Sequence, residues 1–288
     1  MTSANPILRF APSPNGRLHL GHAFSALFTA RAAAVSGGTF LLRIEDIDPV
    51  RSKPEFDAGI VEDLAWLGLH WPEPALRQSA RMPVYAAAAQ ALKKRGLLYP
   101  CFCTRRSITA VAAGRDPDGA PLYPGICRGL PQGEVEGRFA RGEQAQWRLK
   151  MDRATAEAGP LTISEAPAPG RDALWGEMVQ RPADPMRWGD AVLIRKDVPA
   201  SYHLSAVADD AAQGITHVTR GMDLFAATDL HVLLQRLLGL PSPRYCHHRL
   251  LRDEEGQKLA KSKGSVSLKS LRDGGATAAD VRHSLGFD

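Results

Sequence analysis

A chain of 288 residues that is 44% hydrophobic can bury a substantial core, and more readily two unequal lobes than one. It contains no run of about 18 apolar residues and begins Met1-Thr-Ser-Ala-Asn-Pro, which argues against a membrane span or a secretory leader and makes the cytoplasm the expected location. Four cysteines are too few for a disulfide framework at this length, so metal binding or free thiols are the readings to weigh. The formal charge of +5 is modest, but it is concentrated: Arg244 to Arg272 holds eight Lys or Arg against Asp253, Glu254 and Glu255. Such a stretch fits either a solvated charged face or a surface that meets phosphate.

In chain order, Ile7 to Ala11 is a short buried strand, followed by a Pro- and Gly-rich loop and a helix from about His22 to Ser36 that ends at Gly37-Gly38. Thr39 to Ile44 is a second apolar strand. Pro54 to Leu67 keeps helical spacing through Phe56, Ile60, Leu64 and Leu67. This βαβα start predicts a parallel sheet. Met82 to Arg95 is another helix, after which the chain to about Gly142 loses periodicity and gathers Gly, Pro and cysteine, as an insertion would. Ala145 to Lys150, Asp190 to Arg195 and Ile215 to Arg220 read as strands, Tyr202 to Gly214 as a strand passing into a short helix, and Asp223 as the cap of a helix closed by Gly239.

The expected fold is α/β: a Rossmann-like doubly wound parallel sheet with a zinc-containing insertion and a short helical C-terminal lobe. Residues 1–100 are the first half of the sheet domain and 101–188 the insertion. Residues 189–240 form the second half of the sheet domain and 241–288 the C-terminal lobe.

Chemistry concentrates in two places. Arg9-Phe-Ala-Pro-Ser-Pro-Asn-Gly-Arg-Leu-His-Leu-Gly-His22 sets two histidines at the mouth of a helix, where backbone N–H groups attract phosphate and Gly21 lets a nucleotide approach the backbone. His19 and His22 can donate to phosphate oxygens there, although two histidines three apart are also compatible with metal ligation or an ordinary surface. Downstream, Lys258-Leu-Ala-Lys-Ser262 offers lysines able to close over a triphosphate. In a doubly wound sheet both elements face the carboxyl edge.

On these residues the chain resembles the class I aminoacyl-tRNA synthetases, His19-Leu-Gly-His22 matching the HIGH motif and Lys258-Leu-Ala-Lys-Ser262 the KMSKS motif, with Ala260 where the family usually has Ser. Arg9-Phe-Ala-Pro-Ser-Pro-Asn-Gly, Leu42-Arg-Ile-Glu-Asp-Ile-Asp48, Tyr202-His-Leu and Gly214-Ile-Thr-His-Val-Thr-Arg-Gly221 narrow the resemblance to the glutamyl-tRNA synthetase group. The resemblance implies glutamate activation by Mg-ATP, with His19, His22, Lys258 and Lys261 catalytic and His19, Gly21, His22 and Lys261 on ATP. It implies a glutamate pocket of Arg9, Phe10, Ala11, Pro12, Ser13, Glu45, Tyr202 and Arg220. Arg9 and Arg220 can pair bidentately with carboxylates and Glu45 can receive the ammonium. Arg43, Asp46 and Asp48 are read as structural charges.

Cys101, Cys103 and Cys127 supply three thiolates, one short of a structural zinc site, and no histidine occurs between His70 and His203. An oxygen or a water completes such a set. The resemblance implies Tyr123, with Asp116 and Asp118 as rivals; three reduced buried cysteines is the plain alternative. Cys246-His-His248 reads as part of the basic lobe. Only 26 residues follow Ser262, so no anticodon-binding domain is expected. In this the chain resembles the group's truncated paralogs, and the resemblance implies queuosine in the tRNA(Asp) anticodon stem-loop as the acceptor. Charging of the tRNA(Glu) 3′ end and a non-catalytic RNA-binding module are the alternatives. Nothing in the sequence demands more than a monomer.

Overall fold

The computed structural model describes residues 5–166, 178–251 and 266–287. Strand β1 (Ile7–Phe10) pairs in parallel with β2 (Thr39–Ile44), and β2 with the short β3 (Leu76–Arg77). A second parallel block joins β9 (His217–Gly221) to β10 (Arg244–His248) and β10 to β6 (Thr162–Ala166), with β7 (Val179–Pro182) antiparallel at its edge. The blocks meet where β1 lies beside β9: Thr216 N–H donates to the Ile7 carbonyl at 3.0 Å and Ile7 N–H to the Thr216 hydroxyl at 2.8 Å.

Strand periodicity puts a separate core on each face. Along β2, Phe40, Leu42 and Ile44 join one cluster and Leu41 packs against the other. The first cluster takes α1 (Leu20–Val35), α2 (Pro54–Trp66) and α10 (Ala278–Leu285) through Phe28, Leu64 and Leu285. The second takes α3 (Met82–Lys94), α7 (Tyr202–Ala212) and α8 (Ala227–Leu238) through Leu92, Leu204 and Leu233. From β1 the chain winds toward β2, and from β9 toward β10, so the β1–β9 junction is a switch point, where such sheets open a crevice at the carboxyl ends of their strands.

The segment between the two halves builds its own antiparallel sheet of β4 (Leu98–Cys101), β5 (Gln146–Leu149) and β8 (Val192–Ile194). Sequence periodicity misses β4 because Pro100 removes a ladder donor and the strand is only four residues long. Residues 162–166, placed with the insertion on sequence grounds, belong to the central sheet, whereas β8, placed with the catalytic half, belongs to the insertion's sheet. Residues 244–248, placed in a C-terminal lobe, form a central strand. Tyr202–Ala212 is helical throughout: its buried Ser205, Asp209 and Asp210 hide the amphipathic period. Asp223 lies in a single turn before α8, whose first residue is Ala227; Gly239 closes that helix at φ 66°.

After residue 265 the chain returns to the start of α1. Leu268 N–H donates to the Leu18 carbonyl at 2.8 Å, Ser267 bridges His19, and the Phe287 ring meets Phe24 at 5.4 Å. Among the described residues no helix is long and apolar enough to cross a membrane.

Candidate active site

A cavity of about 600 Å³ opens at the β1–β9 switch point. Arg9, Phe10, Ala11, Pro12, Ser13, His19, Gly21, His22, Glu45, Tyr202 and Arg220, drawn from positions up to 211 residues apart, all line it. Lys258 and Lys261 lie outside the described residues. Leu251, the last described residue before them, lines the cavity, and Ser267 beyond them pairs with His19. Asp223, His248 and Arg249 also line the cavity though the sequence did not mark them as site residues, as does Thr219, which sits within the Gly214–Gly221 stretch but was not singled out.

The two histidines cap α1 reciprocally. His19 is the N-cap, its Nδ1 accepting from Gly21 N–H at 3.0 Å, while His22 Nδ1 accepts from His19 N–H at 3.3 Å. An imidazole that accepts at Nδ1 carries its neutral-form proton on Nε2. Both rings therefore have Nε2–H donors, set 3.9 Å apart between centroids at the positive end of a helix. That arrangement suits phosphate oxygens.

Gly21 is needed for this geometry: a Cβ there would stand 2.9 Å from His19 Cε1 and 3.1 Å from Nδ1.

The two arginines expected to meet carboxylates are held differently. Arg9 is already paired: its Nε lies 2.9 Å and its Nη2 3.4 Å from the two Asp210 oxygens. Arg43, fully buried, donates to Asp210 at 2.7 Å and to Glu45 at 3.3 Å. Burial opposes ionisation of Asp210, but Arg9 and Arg43 outweigh it and hold the carboxyl below its ordinary range. Glu45 is different: burial raises its carboxyl despite Arg43 and Arg9, and it stands at the cavity wall with Tyr202. Glu45 N–H donates to the Pro12 carbonyl at 3.0 Å, tying the ends of β1 and β2 together. Asp46 caps the turn at Ser79, and Asp48 accepts from Val50 N–H and pairs with Arg195 at 3.2 Å.

Arg220 is 4% exposed and has no carboxylate partner among the described residues. Its three nitrogens donate to His247 Nε2 at 3.2 Å, His231 Nδ1 at 3.2 Å and Thr228 Oγ1 at 2.6 Å. It is a buried cation with neutral acceptors on the cavity wall, able to take an anion. The Cys246-His-His248 run is thus not a basic lobe: Cys246 is core, His247 supports Arg220, and His248 packs on Phe24 and Phe28 at 5.2 Å from each.

Away from the cavity, the sulfurs of Cys101, Cys103 and Cys127 lie within 4.8 Å of one another, with no histidine or carboxylate joining them among the described residues. Cys103 and Cys127 are 3.5 Å apart, close to the ~3.8 Å that 2.3 Å zinc–sulfur bonds give in a tetrahedron. The Tyr123 hydroxyl is 3.8 Å from Cys103 and accepts from Cys127 N–H at 2.7 Å, under the Arg148 guanidinium. Asp116 instead closes its own turn, accepting from Asp118 and Ala120 N–H. Burial opposes ionisation of Cys101, but hydrogen bonds from Tyr123, Arg148 and Gln146 bring its thiol down to about 7. The donor set fits a metal that prefers sulfur in four-coordination.

We expect Gly21→Ala to forfeit the ~0.5 to 1 kcal/mol that Ala normally adds in a helix, because it displaces the His19 cap. Nucleotide affinity should fall with it, measured by titration beside thermal unfolding. A stabilised variant with unchanged nucleotide affinity would contradict this geometry.

Residues 7–282 match the family described as tRNA synthetases class I (E and Q), catalytic domain. The chain is 49% identical over 291 residues to the glutamyl-Q tRNA(Asp) synthetase of Rhodobacter capsulatus, covering 98% of this chain and 100% of that one. It is 40% identical to glutamate–tRNA ligase 2 of a Methylobacterium species, covering 94% of this chain and 57% of that protein. The crystal structure of glutamate-tRNA synthetase from Elizabethkingia anophelis superposes with a TM-score of 0.70 at 30% identity, over 91% of this chain and 53% of that one. The chain therefore spans the whole of the first relative and little more than half of the other two. With a switch-point cavity, a histidine-capped helix and this match across the sheet, it belongs to the glutamate and glutamine class I tRNA synthetases and is a ligase of that family.

Proposed function

We propose that the chain activates L-glutamate with Mg-ATP, giving glutamyl-adenylate and pyrophosphate, and then transfers the glutamyl group to queuosine at the wobble position of tRNA(Asp). The observation that carries the first half is Arg220, a buried cation with no acidic partner among the described residues, facing the same cavity as the capped helix. In this reading Arg220 takes the side-chain carboxylate of glutamate, Glu45 takes the ammonium, and Ser13 and Tyr202 orient it by neutral hydrogen bonds. Arg9, already paired with Asp210, contributes its remaining edge and shapes the floor with Phe10, Ala11 and Pro12.

The α-carboxylate oxygen then attacks the α-phosphorus of ATP, and the bond to pyrophosphate breaks. The Nε2–H groups of His19 and His22 meet the charge that develops on the phosphates, with Lys258 and Lys261 on the departing pyrophosphate. In the second step a hydroxyl of the queuosine cyclopentene diol attacks the anhydride carbonyl and AMP leaves. Neither step needs a protein nucleophile; positioning and charge supply the rate. In this reading adenylate formation precedes RNA binding and does not require it.

Glutamate-dependent pyrophosphate exchange with protein, glutamate and Mg-ATP alone tests the first step. Activity should appear without tRNA, and Arg220→Ala should weaken glutamate use by ~3 to 5 kcal/mol, the cost of stripping one partner from a buried charge pair, with ATP use little changed. Absolute dependence on tRNA, or an unchanged glutamate requirement in the variant, would sink the assignment.

The cysteine cluster is proposed to hold one structural zinc per chain through Cys101, Cys103, Tyr123 and Cys127, leaving no open position for chemistry. Elemental analysis should find about one zinc per protein and a loss of it in Cys103→Ala. Full occupancy in that variant would remove Cys103 from the set.

The acceptor rests on the match over the full length of a protein named glutamyl-Q tRNA(Asp) synthetase, and on the Lys and Arg of the Arg244 to Arg272 stretch outside its buried residues 245–248, which could hold one RNA stem by its phosphates. An isolated tRNA(Asp) anticodon stem-loop containing queuosine should accept glutamate, the guanosine form should not, and added salt should slow the reaction. Glutamylation of the tRNA(Glu) 3′ end with none on the stem-loop would overturn this choice.

A further inference from the structure

Arg220 is gripped from behind by groups that no motif singles out, and the direction of every hydrogen bond among them can be worked out. A guanidinium has only donors, so each ring nitrogen facing it must present a lone pair. His231 Nδ1 therefore accepts from Arg220, its proton sits on Nε2, and that nitrogen lies 3.3 Å from His203 Nδ1. His247 Nε2 likewise accepts from Arg220, so its proton sits on Nδ1, 2.6 Å from Glu165 Oε1. The Thr228 hydroxyl accepts from Arg220 at 2.6 Å and lies 3.2 Å from His247 Nε2, whose one lone pair it shares with Arg220 Nε–H.

These polarities are consistent along the whole chain from His203 to Glu165. Burial and the nearby Arg220 cation lower the affinity of His231 for a second proton; His247 is lowered by burial despite its bond to Glu165. Glu165 is itself fixed on β6, where Arg181 Nε reaches it at 2.7 Å while Arg181 Nη1 holds Asp229 at 3.0 Å.

A carboxylate placed directly on Arg220 would neutralise it. Glu165 stands one imidazole away, where it orients the guanidinium and leaves the cation able to take another anion. We propose that Glu165, acting through His247, is a positioning residue that holds the Arg220 fork for a single carboxylate and so sets the preference for an acidic over an amide amino acid. This rests on the assignment of Arg220 to the side chain of glutamate.

The test compares wild type, Glu165→Ala and Glu165→Gln in pyrophosphate exchange, with glutamate and glutamine as substrates. Losing one charge-assisted hydrogen bond should raise the glutamate KM of Glu165→Ala about tenfold or more. The glutamate-over-glutamine ratio should fall and the ATP KM should hold within about twofold. Glu165→Gln, whose amide oxygen can still accept from His247 Nδ1–H, should recover most of the loss. Long-range proton–nitrogen NMR should show His247 with its proton on Nδ1 in the wild type and altered in Glu165→Ala. An unchanged glutamate KM in Glu165→Ala, glutamate and ATP KM values rising together, or a wild-type His247 protonated on Nε2 would each overturn the proposal. Absence of glutamate-dependent exchange in the wild type would instead overturn the functional reading, an outcome distinct from an active enzyme indifferent to Glu165.

Discussion

A buried guanidinium surrounded by neutral acceptors is the constraint on which this site depends. Arg220 loses nearly all contact with water, a cost that usually demands an opposite charge alongside. Here two imidazoles and a hydroxyl satisfy its donors without cancelling its charge. Arg9 and Arg43 show the contrasting solution, sharing Asp210 between them. The same residue type thus has two settings: one pair shares a carboxylate, and Arg220 keeps its charge on the cavity wall.

The fold makes that arrangement affordable by bringing four elements together behind one strand end. Arg220 lies one residue before the end of β9, its acceptors come from α8 and β10, and Glu165 comes from β6, so the support depends on the parallel pairing of β6, β10 and β9. On the other side of the crevice β1 delivers the chain to α1, whose cap is made by His19 and His22 themselves. The segment after residue 265 returns to this cap through Leu268 and Ser267. In the proposed function, carboxylate recognition and phosphate recognition fall to separate halves of the sheet that meet at the switch point.

Much of the first half was legible in the sequence because its signals are local. The strand at Thr39–Ile44 has the bounds its apolar run suggests, and the Pro- and Gly-rich turn before His19 announces a helix mouth. Arg9, Glu45, Tyr202 and Arg220 came from the family resemblance; no spacing rule would have put them on one cavity. The support for Arg220 was not legible. His247 looks like one of two adjacent histidines in a basic stretch, and its meaning comes from Glu165, 82 residues earlier, and Thr228, 19 residues earlier. Asp210 was hidden for a related reason: a buried acid inside a helix breaks the amphipathic pattern that would reveal the helix. Lys258 and Lys261, the clearest downstream motif, fall outside the described residues.

The central claim is that the cavity selects a carboxylate because Arg220 retains its charge. Titration calorimetry of the wild-type protein with L-glutamate and L-glutamine tests it most directly, since the two ligands differ in the group set against Arg220. The account predicts that glutamine binds at least ~100-fold more weakly, about the cost of leaving a buried charge unpaired. Equal affinities for the two amino acids would contradict it.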